Sequence, residues 1–294
     1  MFQRMNRLVI QLPEVEYGDT NDVVAVQELL GGKFGVMTLF NNYMYQSFNF
    51  RGKVKLKPFY DLVASLTAEK IGHVELVATA INLLKKEGIP QGATIQNTKN
   101  LSDIKSFITT AQTASPRDAM GLPWTSENIN TSGNLVLDLQ NNFFLECGAR
   151  TQYMRVYEMT NHPVARELIA FLLVRGTAHI VAFAKAIEMA TGVSIYKMLP
   201  IPNLDHRVIE ETRKYEDLGL GYTLFTWNEI GDYTDITKIW KGKHPISGEQ
   251  LIVKEGVPEE SGMIPNLEDI PEGFAPGFGL EDFHAIAKRL LAKG

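Results

Sequence analysis

The feature that most constrains this chain is a set of four long apolar helical patterns, three of which carry carboxylates or histidines. The second pattern carries Glu69 and His73 in an E-x-x-x-H spacing, the third carries Glu146 and the fourth carries His179. Residues four apart share one face of a helix, so Glu69 and His73 point the same way. Bundles that hold two metal ions direct such side chains inward from each helix. The chain is therefore predicted to be all-α, with a four-helix bundle.

Apolar spacing and capping residues predict where these helices begin and end. Apolar residues at a spacing of three to four predict helices over residues 22–48, 58–86, 134–160 and 163–191. Asp22 and Asn161 are the expected N-caps of the first and the last helix. Residues 87–133 are rich in Thr, Ser, Asn and Gly, and we expect one short helix in them, at 101–112. A connection of this length suits a crossover between the helices of a bundle.

The sequence changes character after residue 197, where prolines and glycines separate short apolar runs. This part keeps aromatic residues such as Trp227 and Trp240, which an unstructured tail would not normally carry. We therefore expect residues 1–197 to form the bundle domain. Residues 198–294 are expected to form an extended but ordered C-terminal arm that packs on the bundle and on neighbouring subunits and ends in a helix at 281–292.

Composition narrows the partners that such a chain would meet. Its 294 residues are 45% hydrophobic, and a formal net charge of −5 argues against nucleic acid or an anionic membrane as a partner. Cys147 is the only cysteine, which excludes a disulfide within the chain and favours a reducing, cytoplasmic compartment. The first twenty residues resemble neither a signal peptide nor a membrane span. We expect a cytoplasmic protein that meets small molecules or other subunits.

Composition and spacing alone leave two interpretations of the histidines open. His73 and His179 lie on strongly apolar helix faces, where a single histidine is usually a core residue with a satisfied ring. Together with Glu146 on a third helix, they form a donor set that is typical of Mn, Fe or Zn sites. Tyr43, two helical turns beyond Val36, is placed to face the same interior.

Longer motifs, spread over nearly the whole chain, resemble those of the manganese catalases. They are QELLGGKFGVMTLFNNYMYQSFNFRGK, NNFFLECGARTQYMRVYE, LLVRGTAHIVAFAKAIE and IWKGKHPISGEQLIVKEG. The resemblance implies a ferritin-like four-helix bundle with a long crossover and a two-manganese site. It also implies an oxidoreductase that disproportionates hydrogen peroxide, a defence against oxidative stress, and a homohexamer in which the C-terminal arm embraces neighbouring subunits.

The resemblance implies a ligand set that this chain keeps only in part. His73, Glu146 and His179 stand at metal-ligand positions of the family. Val36 and Lys70 stand where the family has glutamates in its first and second helices, and Gly176 replaces a carboxylate of many members. Exchanging two carboxylates for a neutral and a cationic group changes the charge of the site by about three units, which opposes tight binding of two divalent ions.

The orientation of Lys70 decides what the substitution means. We expect Lys70 to point inward, occupy the space of one metal ion and pair with Glu146. The alternative is that Lys70 reaches solvent while Glu69 turns inward as a replacement ligand, because both spacings from His73 lie on one helix face. The catalytic candidates are accordingly Lys70, Tyr43 and Glu146.

Three hypotheses about function follow. In the first, the chain is a manganese-catalase-like protein whose dinuclear site is lost or reduced through Val36 and Lys70. Its catalase activity would be weak or absent, with no metal or with one Mn or Fe ion at His73, His179 and Glu146. The second is an active manganese catalase that holds two Mn ions, uses Glu69 as a displaced ligand and takes hydrogen peroxide as substrate. The third is a metal-free hexamer with a structural or protective role.

Overall fold

The computed structural model describes residues 4–14, 17–85, 113–198, 206, 208–267 and 280–292. Its long helices are α1 (Thr20–Gly31), α2 (Val36–Phe48), α3 (Lys57–Leu84), α4 (Leu135–Met159) and α5 (Pro163–Thr191). Helices α1, α2 and α5 each pack against α3, and α4 packs along α5. The all-α prediction is confirmed, and the ends of the last three helices lie within two residues of the predicted ends. The helix expected at 101–112 lies outside the described residues.

The first predicted helix is in fact two helices, so the prediction of one helix over residues 22–48 was wrong. A turn separates α1 from α2. A Cβ atom at Gly31 would collide with the backbone of Arg117, and one at Gly35 would come within 2.7 Å of the Leu30 carbonyl oxygen. Gly31 is therefore needed because the connection between α3 and α4 crosses this bend at close range, and Gly35 because the turn folds back onto the end of α1.

The helix caps also differ from the predicted ones. Asp19, and not Asp22, caps α1, because its carboxylate accepts hydrogen bonds from the backbone N–H groups at the start of the helix. The Asp22 carboxylate instead accepts from the backbone N–H groups of Asn161 and His162, at 3.2 and 2.8 Å. The cap of α5 is His162, whose Nδ1 accepts from the Val164 N–H at 3.2 Å, and not Asn161. Asp22 therefore ties the turn between α4 and α5 to the first helix.

Helix α5 is the central helix of the bundle, and its residues 168–184 are all buried. By length and apolar composition, Pro163–Thr191 and the stretch Asn21–Phe48 would each be long enough to cross a membrane. The apolar window of Pro163–Thr191 is 100% buried inside the protein, which is the pattern of a core helix. Arg175 and His179, which lie on this helix, must therefore find their polar partners within the protein.

The segment after the bundle is built from short elements. They are α6 (Ile195–Met198), α7 (Arg213–Asp217), α8 (Leu280–Leu291), strands β1 (Thr223–Phe225) and β2 (Ile252–Lys254), and 3-10 turns at Glu210–Thr212 and Thr234–Lys238, in addition to Ser126–Asn128 before α4. The two strands pair in parallel. Ser65 of α3 donates a hydrogen bond to the Phe225 carbonyl oxygen at 2.6 Å, which fixes β1 to the bundle. Contact of the arm with a neighbouring subunit, and the division at residue 197, stay predictions.

Candidate metal centre in the bundle interior

Four helices bring the candidate residues into one buried cluster. On the helices that contribute more than one residue, spacings of three, four and seven place these side chains on one face, as the sequence indicated. None of them is more than 1% exposed. They are Val36 and Tyr43 from α2, Glu69, Lys70 and His73 from α3, Glu146 from α4, and Arg175 and His179 from α5.

Lys70 points into this cluster and pairs with Glu146. The distance from Lys70 Nζ to Glu146 Oε1 is 2.8 Å, and the Tyr43 hydroxyl donates to the same oxygen at 2.6 Å. Burial raises the pKa of the Glu146 carboxyl, but the charge of Lys70 and the interaction with His179 outweigh it and lower the pKa to about 2. Burial, with the Glu146 charge, raises the pKa of Tyr43 well above its usual value, so this phenol stays a donor. The alternative in which Lys70 reaches solvent is therefore wrong.

Glu69 is also buried, but its partner is an arginine that the sequence analysis did not single out. Arg175 Nε lies 2.7 Å from Glu69 Oε1, and Arg175 Nη2 lies 2.9 Å from Oε2. The Trp227 indole N–H donates to Oε2 at 3.1 Å. Burial raises the pKa of Glu69, but the charge of Arg175 outweighs it and holds the pKa well below its usual range. Both carboxylate oxygens of Glu69 are thus engaged as hydrogen-bond acceptors.

Arg175 extends this pair into the C-terminal segment. Its Nη1 donates to the Thr223 carbonyl oxygen at 2.8 Å and to the Leu220 carbonyl oxygen. Glu69, Arg175 and Trp227 therefore join α3, α5 and the chain around β1. A charged residue inside the buried, mainly apolar stretch 168–184 was the sequence signal for such a partner, since a buried guanidinium needs a counter-charge.

The two histidines lie between the ion pairs and are poorly satisfied. His73 Nε2 and His179 Nε2 are 3.3 and 3.0 Å from Glu69 Oε1, and His179 Nδ1 is 3.2 Å from Glu146 Oε1. Among the described residues, however, no partner is aligned for a hydrogen bond with any of their ring nitrogens, and Glu146 Oε2 also lacks a partner. Burial lowers the pKa of His73 to about 4, and the charge of Lys70 adds to this effect.

The other substituted positions provide no donor atoms. Val36 is the first residue of α2 and is fully buried, and its side chain has no lone pair. A Cβ atom at Gly176 would meet Tyr153 Cε2 at 3.9 Å, so the ring of Tyr153 lies beside the space above this glycine. The Tyr153 hydroxyl is buried and has no hydrogen-bond partner within the described part of the chain.

The charges of the cluster balance without an added ion. Glu69 and Glu146 contribute two negative charges, and Lys70 and Arg175 contribute two positive charges. Over the ranges that the structure describes, no group of three or more His, Cys, Asp or Glu side chains is arranged to hold a metal ion. Two divalent ions would add four positive charges to a cluster that is already neutral.

Comparison with known proteins identifies the family. The family model for manganese-containing catalases matches residues 1–294. The chain belongs to the manganese catalase family. The family resemblance stated from the sequence motifs is confirmed.

Two manganese catalases are similar to this chain over different fractions of its length. A manganese catalase of Bacillus subtilis is 33% identical over 161 residues, which cover 52% of this chain and 58% of the relative. The chain thus spans little more than half the length of that relative. A manganese catalase of Lactiplantibacillus plantarum is 28% identical over 252 residues, covering 83% of this chain and 87% of the relative.

A solved structure supports the fold. The crystal structure of wild-type KatB, a manganese catalase from Anabaena, superimposes with a TM-score of 0.57 at 19% identity, covering 79% of this chain and 97% of KatB. This likeness confirms the ferritin-like bundle. The roles of His73, Glu146 and His179 as ligands, and of Lys70 and Tyr43 in catalysis, stay predictions.

Proposed function

We propose that this chain keeps the manganese catalase scaffold but has lost the two-manganese centre, so that its disproportionation of hydrogen peroxide is weak or absent. The observation that carries the proposal is the distance of 2.8 Å between Lys70 Nζ and Glu146 Oε1. The Lys70 ammonium group lies where a metal ion would bind Glu146, the glutamate that this chain keeps at a ligand position of the family. Pairing with Lys70 neutralises the Glu146 carboxylate and makes its Oε1 atom a weaker ligand, so the substitution acts on Glu146 as well as on position 70.

The charges and the donor atoms of the cluster also argue against two manganese ions. Buried sites for two divalent ions offset the ionic charge with several carboxylates. Here Val36 donates nothing, Lys70 adds a positive charge and Glu69 is held by Arg175 through both oxygens. The residues present do not fit a pair of manganese ions. The bidentate pairing of Glu69 likewise argues against the displaced-ligand hypothesis, because Arg175 would have to release the carboxylate.

A single ion is the second candidate, and one observation favours it. The ring nitrogens of His73 and His179 and the Oε2 atom of Glu146 are buried without an aligned partner in the described residues. Buried polar atoms are normally hydrogen-bonded or bound to water or an ion. Two imidazoles and one carboxylate would suit Fe(II) or Mn(II). This candidate and a metal-free protein with a structural or protective role differ in metal content alone.

Metal analysis of the purified protein, paired with oxygen release from hydrogen peroxide, tests the proposal. We expect at most one Mn or Fe ion per chain and oxygen release no faster than that of the Glu146→Gln variant. About two Mn ions per chain with rapid, Glu146-dependent oxygen release would overturn it. One ion per chain would identify the mononuclear form. No metal would identify a metal-free form in which Lys70 takes the place of the ion.

Restoring the missing carboxylates provides the matched experiment. The double variant Val36→Glu, Lys70→Glu should bind more manganese than the native protein, because two carboxylates replace a neutral and a cationic group. The control is Val36→Gln, Lys70→Gln, which has nearly the same shape without the charge and should gain no metal. Equal manganese content in both double variants would show that charge at these positions does not govern binding.

The homohexamer and the cytoplasmic location that the resemblance implies belong to the same proposal. Helix α8 supports an assembly, because Phe283, Ile286 and Leu290 are 43%, 42% and 72% exposed on a helix too short to be stable alone in water. Light scattering coupled to size exclusion should give six chains per particle in the native protein. Deletion of residues 280–294 should reduce that number.

A further inference from the structure

A second site, separate from the buried cluster, lies on the outer face of α3. A cavity of about 440 Å³, partly open to solvent, lies between the N-terminal segment, α3, the loop after β1 and the chain after β2. Its apolar walls include Met5, Ile71, Trp227, Tyr233 and Val257. The volume lies in the range of pockets that bind small organic molecules, which are mostly apolar with a few placed polar groups.

The two aromatic walls are held in an uncommon backbone conformation. Trp227 has a φ of 56° and Tyr233 a φ of 64°, and these are the two non-glycine residues with positive φ in the part of the chain that is described. Bulky side chains rarely adopt this left-handed region, and residues kept there are concentrated at active sites and ligand clamps. Both strained residues line the same cavity, and five loop residues separate them in the sequence. The fold thus holds the rings of Trp227 and Tyr233 against the same cavity.

Arg7 supplies a positive charge at the wall of this cavity. In the described structure its guanidinium meets the neutral Ser261 hydroxyl at a long distance of 3.4 Å. The other cation of the cavity, Arg4, is already paired with Glu75. Glu75 and Asp232 are the acidic residues of the lining. A guanidinium has five N–H donors, and Arg7 is therefore the group placed to receive an anion.

We propose that this cavity binds a small amphipathic organic anion. The apolar body would lie between Trp227 and Tyr233, and a carboxylate or sulfonate would bind Arg7. The site adjoins the cluster, because the Trp227 indole N–H also donates to Glu69 Oε2 at 3.1 Å. A ligand that shifts Trp227 therefore acts on the hydrogen bonding of Glu69. The proposal does not depend on metal content or on catalase activity.

Fluorescence titration of the full-length purified protein tests the site with two probes of similar shape. 8-Anilinonaphthalene-1-sulfonate carries one negative charge, and N-phenyl-1-naphthylamine is neutral. We expect saturable binding of one sulfonate probe per chain. Arg7→Gln should weaken binding of the sulfonate about tenfold, the effect of one charge-assisted hydrogen bond, and should change binding of the neutral probe less than about twofold.

Further variants separate the cavity from other apolar surfaces. Ala78→Phe, which fills the cavity, should abolish binding of both probes. Ile71→Asp changes a side chain that is 42% exposed, so it should fold normally while weakening the sulfonate about tenfold or more. Arg155→Gln, at an exposed arginine outside the cavity, is the control and should change nothing. Sulfonate affinity that stays within about twofold in Arg7→Gln and Ile71→Asp, or the lack of saturable binding, would overturn the proposal.

Discussion

Two buried ion pairs lie side by side in this bundle, and they are built differently. Arg175 contacts both oxygens of Glu69 and also donates to two backbone carbonyl groups of the C-terminal segment. Lys70 contacts one oxygen of Glu146, and the other oxygen has no partner among the described residues. The first pair satisfies its polar atoms, whereas the second leaves several unsatisfied.

The difference in geometry suits the two pairs to different roles. A planar guanidinium matches a carboxylate with two parallel hydrogen bonds, which is suited to joining elements of the fold. An ammonium is a point charge that compensates a carboxylate without engaging all of its acceptors. The unsatisfied atoms of Glu146, His73 and His179 surround the lysine, at the place where the family implies metal ions. The Glu69 pair joins elements of the fold, and the Lys70 pair neutralises a carboxylate that we propose to be a former ligand.

Breaking the Glu69 pair should have the largest effect on stability. Arg175→Met removes the hydrogen bonds to Glu69 and to the two carbonyl groups, and it leaves a buried carboxylate without its counter-charge. We expect a loss of about 5 kcal/mol in the free energy of unfolding, measured by urea denaturation at pH 7. Arg155→Met, at an exposed arginine, is the control and should change stability by less than about 0.5 kcal/mol. A loss for Arg175→Met of under about 1 kcal/mol would contradict the structural role.

Removing Lys70 should have a smaller effect, because Glu146 keeps its hydrogen bond from Tyr43. Lys70→Met should lower the free energy of unfolding by about 3 kcal/mol at pH 7 in the same measurement. An increase in stability would instead mean that methionine packs better than the ion pair, as at some other buried pairs, and would remove the neutralising role assigned to Lys70.

The pH dependence of the Lys70→Met effect sharpens this test. The Glu146 pKa is lowered from 4.5 to about 2 in the folded protein, so its contribution to stability is fully present above about 4.5 and is lost as the pH falls towards 2. Without Lys70 the main cause of the lowered pKa is absent. The stability difference between native protein and Lys70→Met should therefore shrink as the pH falls from 4.5, in urea denaturation at successive pH values. A constant difference would show that the lysine acts by packing alone.

The fold was predictable where the pattern was local. The three long helices after residue 57 could be predicted to within two residues because their apolar spacing and flanking signals lie in the same stretch. The break between α1 and α2 could not, because it depends on the approach of Arg117 from a distant connection. The wrong caps have the same origin. Asp22 has the right residue type, but tertiary contacts with the α4–α5 turn recruit it elsewhere.

The candidate site was likewise predictable only in part. Spacing and the family motifs indicated that Lys70, His73, Glu146 and His179 would share one interior, and the structure brings them together. The contacts of Glu69 with Arg175 and Trp227 were not predicted, because these residues lie 106 and 158 positions away in the sequence. Trp227 also belongs to a segment of irregular structure. Arg175 alone carried a signal, as a cation in an apolar helix. The sequence predicted that either Glu69 or Lys70 would point inward, but α3 buries both side chains against different neighbours.

The smallest effect in this comparison distinguishes two buried tyrosines beside Glu146. The Tyr43 hydroxyl donates to Glu146 Oε1 at 2.6 Å, whereas the Tyr153 hydroxyl has no partner in the described residues. Tyr43→Phe should lower the free energy of unfolding by about 1.5 kcal/mol, the contribution of a hydrogen bond to a charged group. Tyr153→Phe removes a buried, unsatisfied hydroxyl and should be neutral or slightly stabilising in the same urea denaturation. Equal losses in the two variants would mean that an ordered water or ion also binds Tyr153, and the cluster would then not be closed by Lys70 alone.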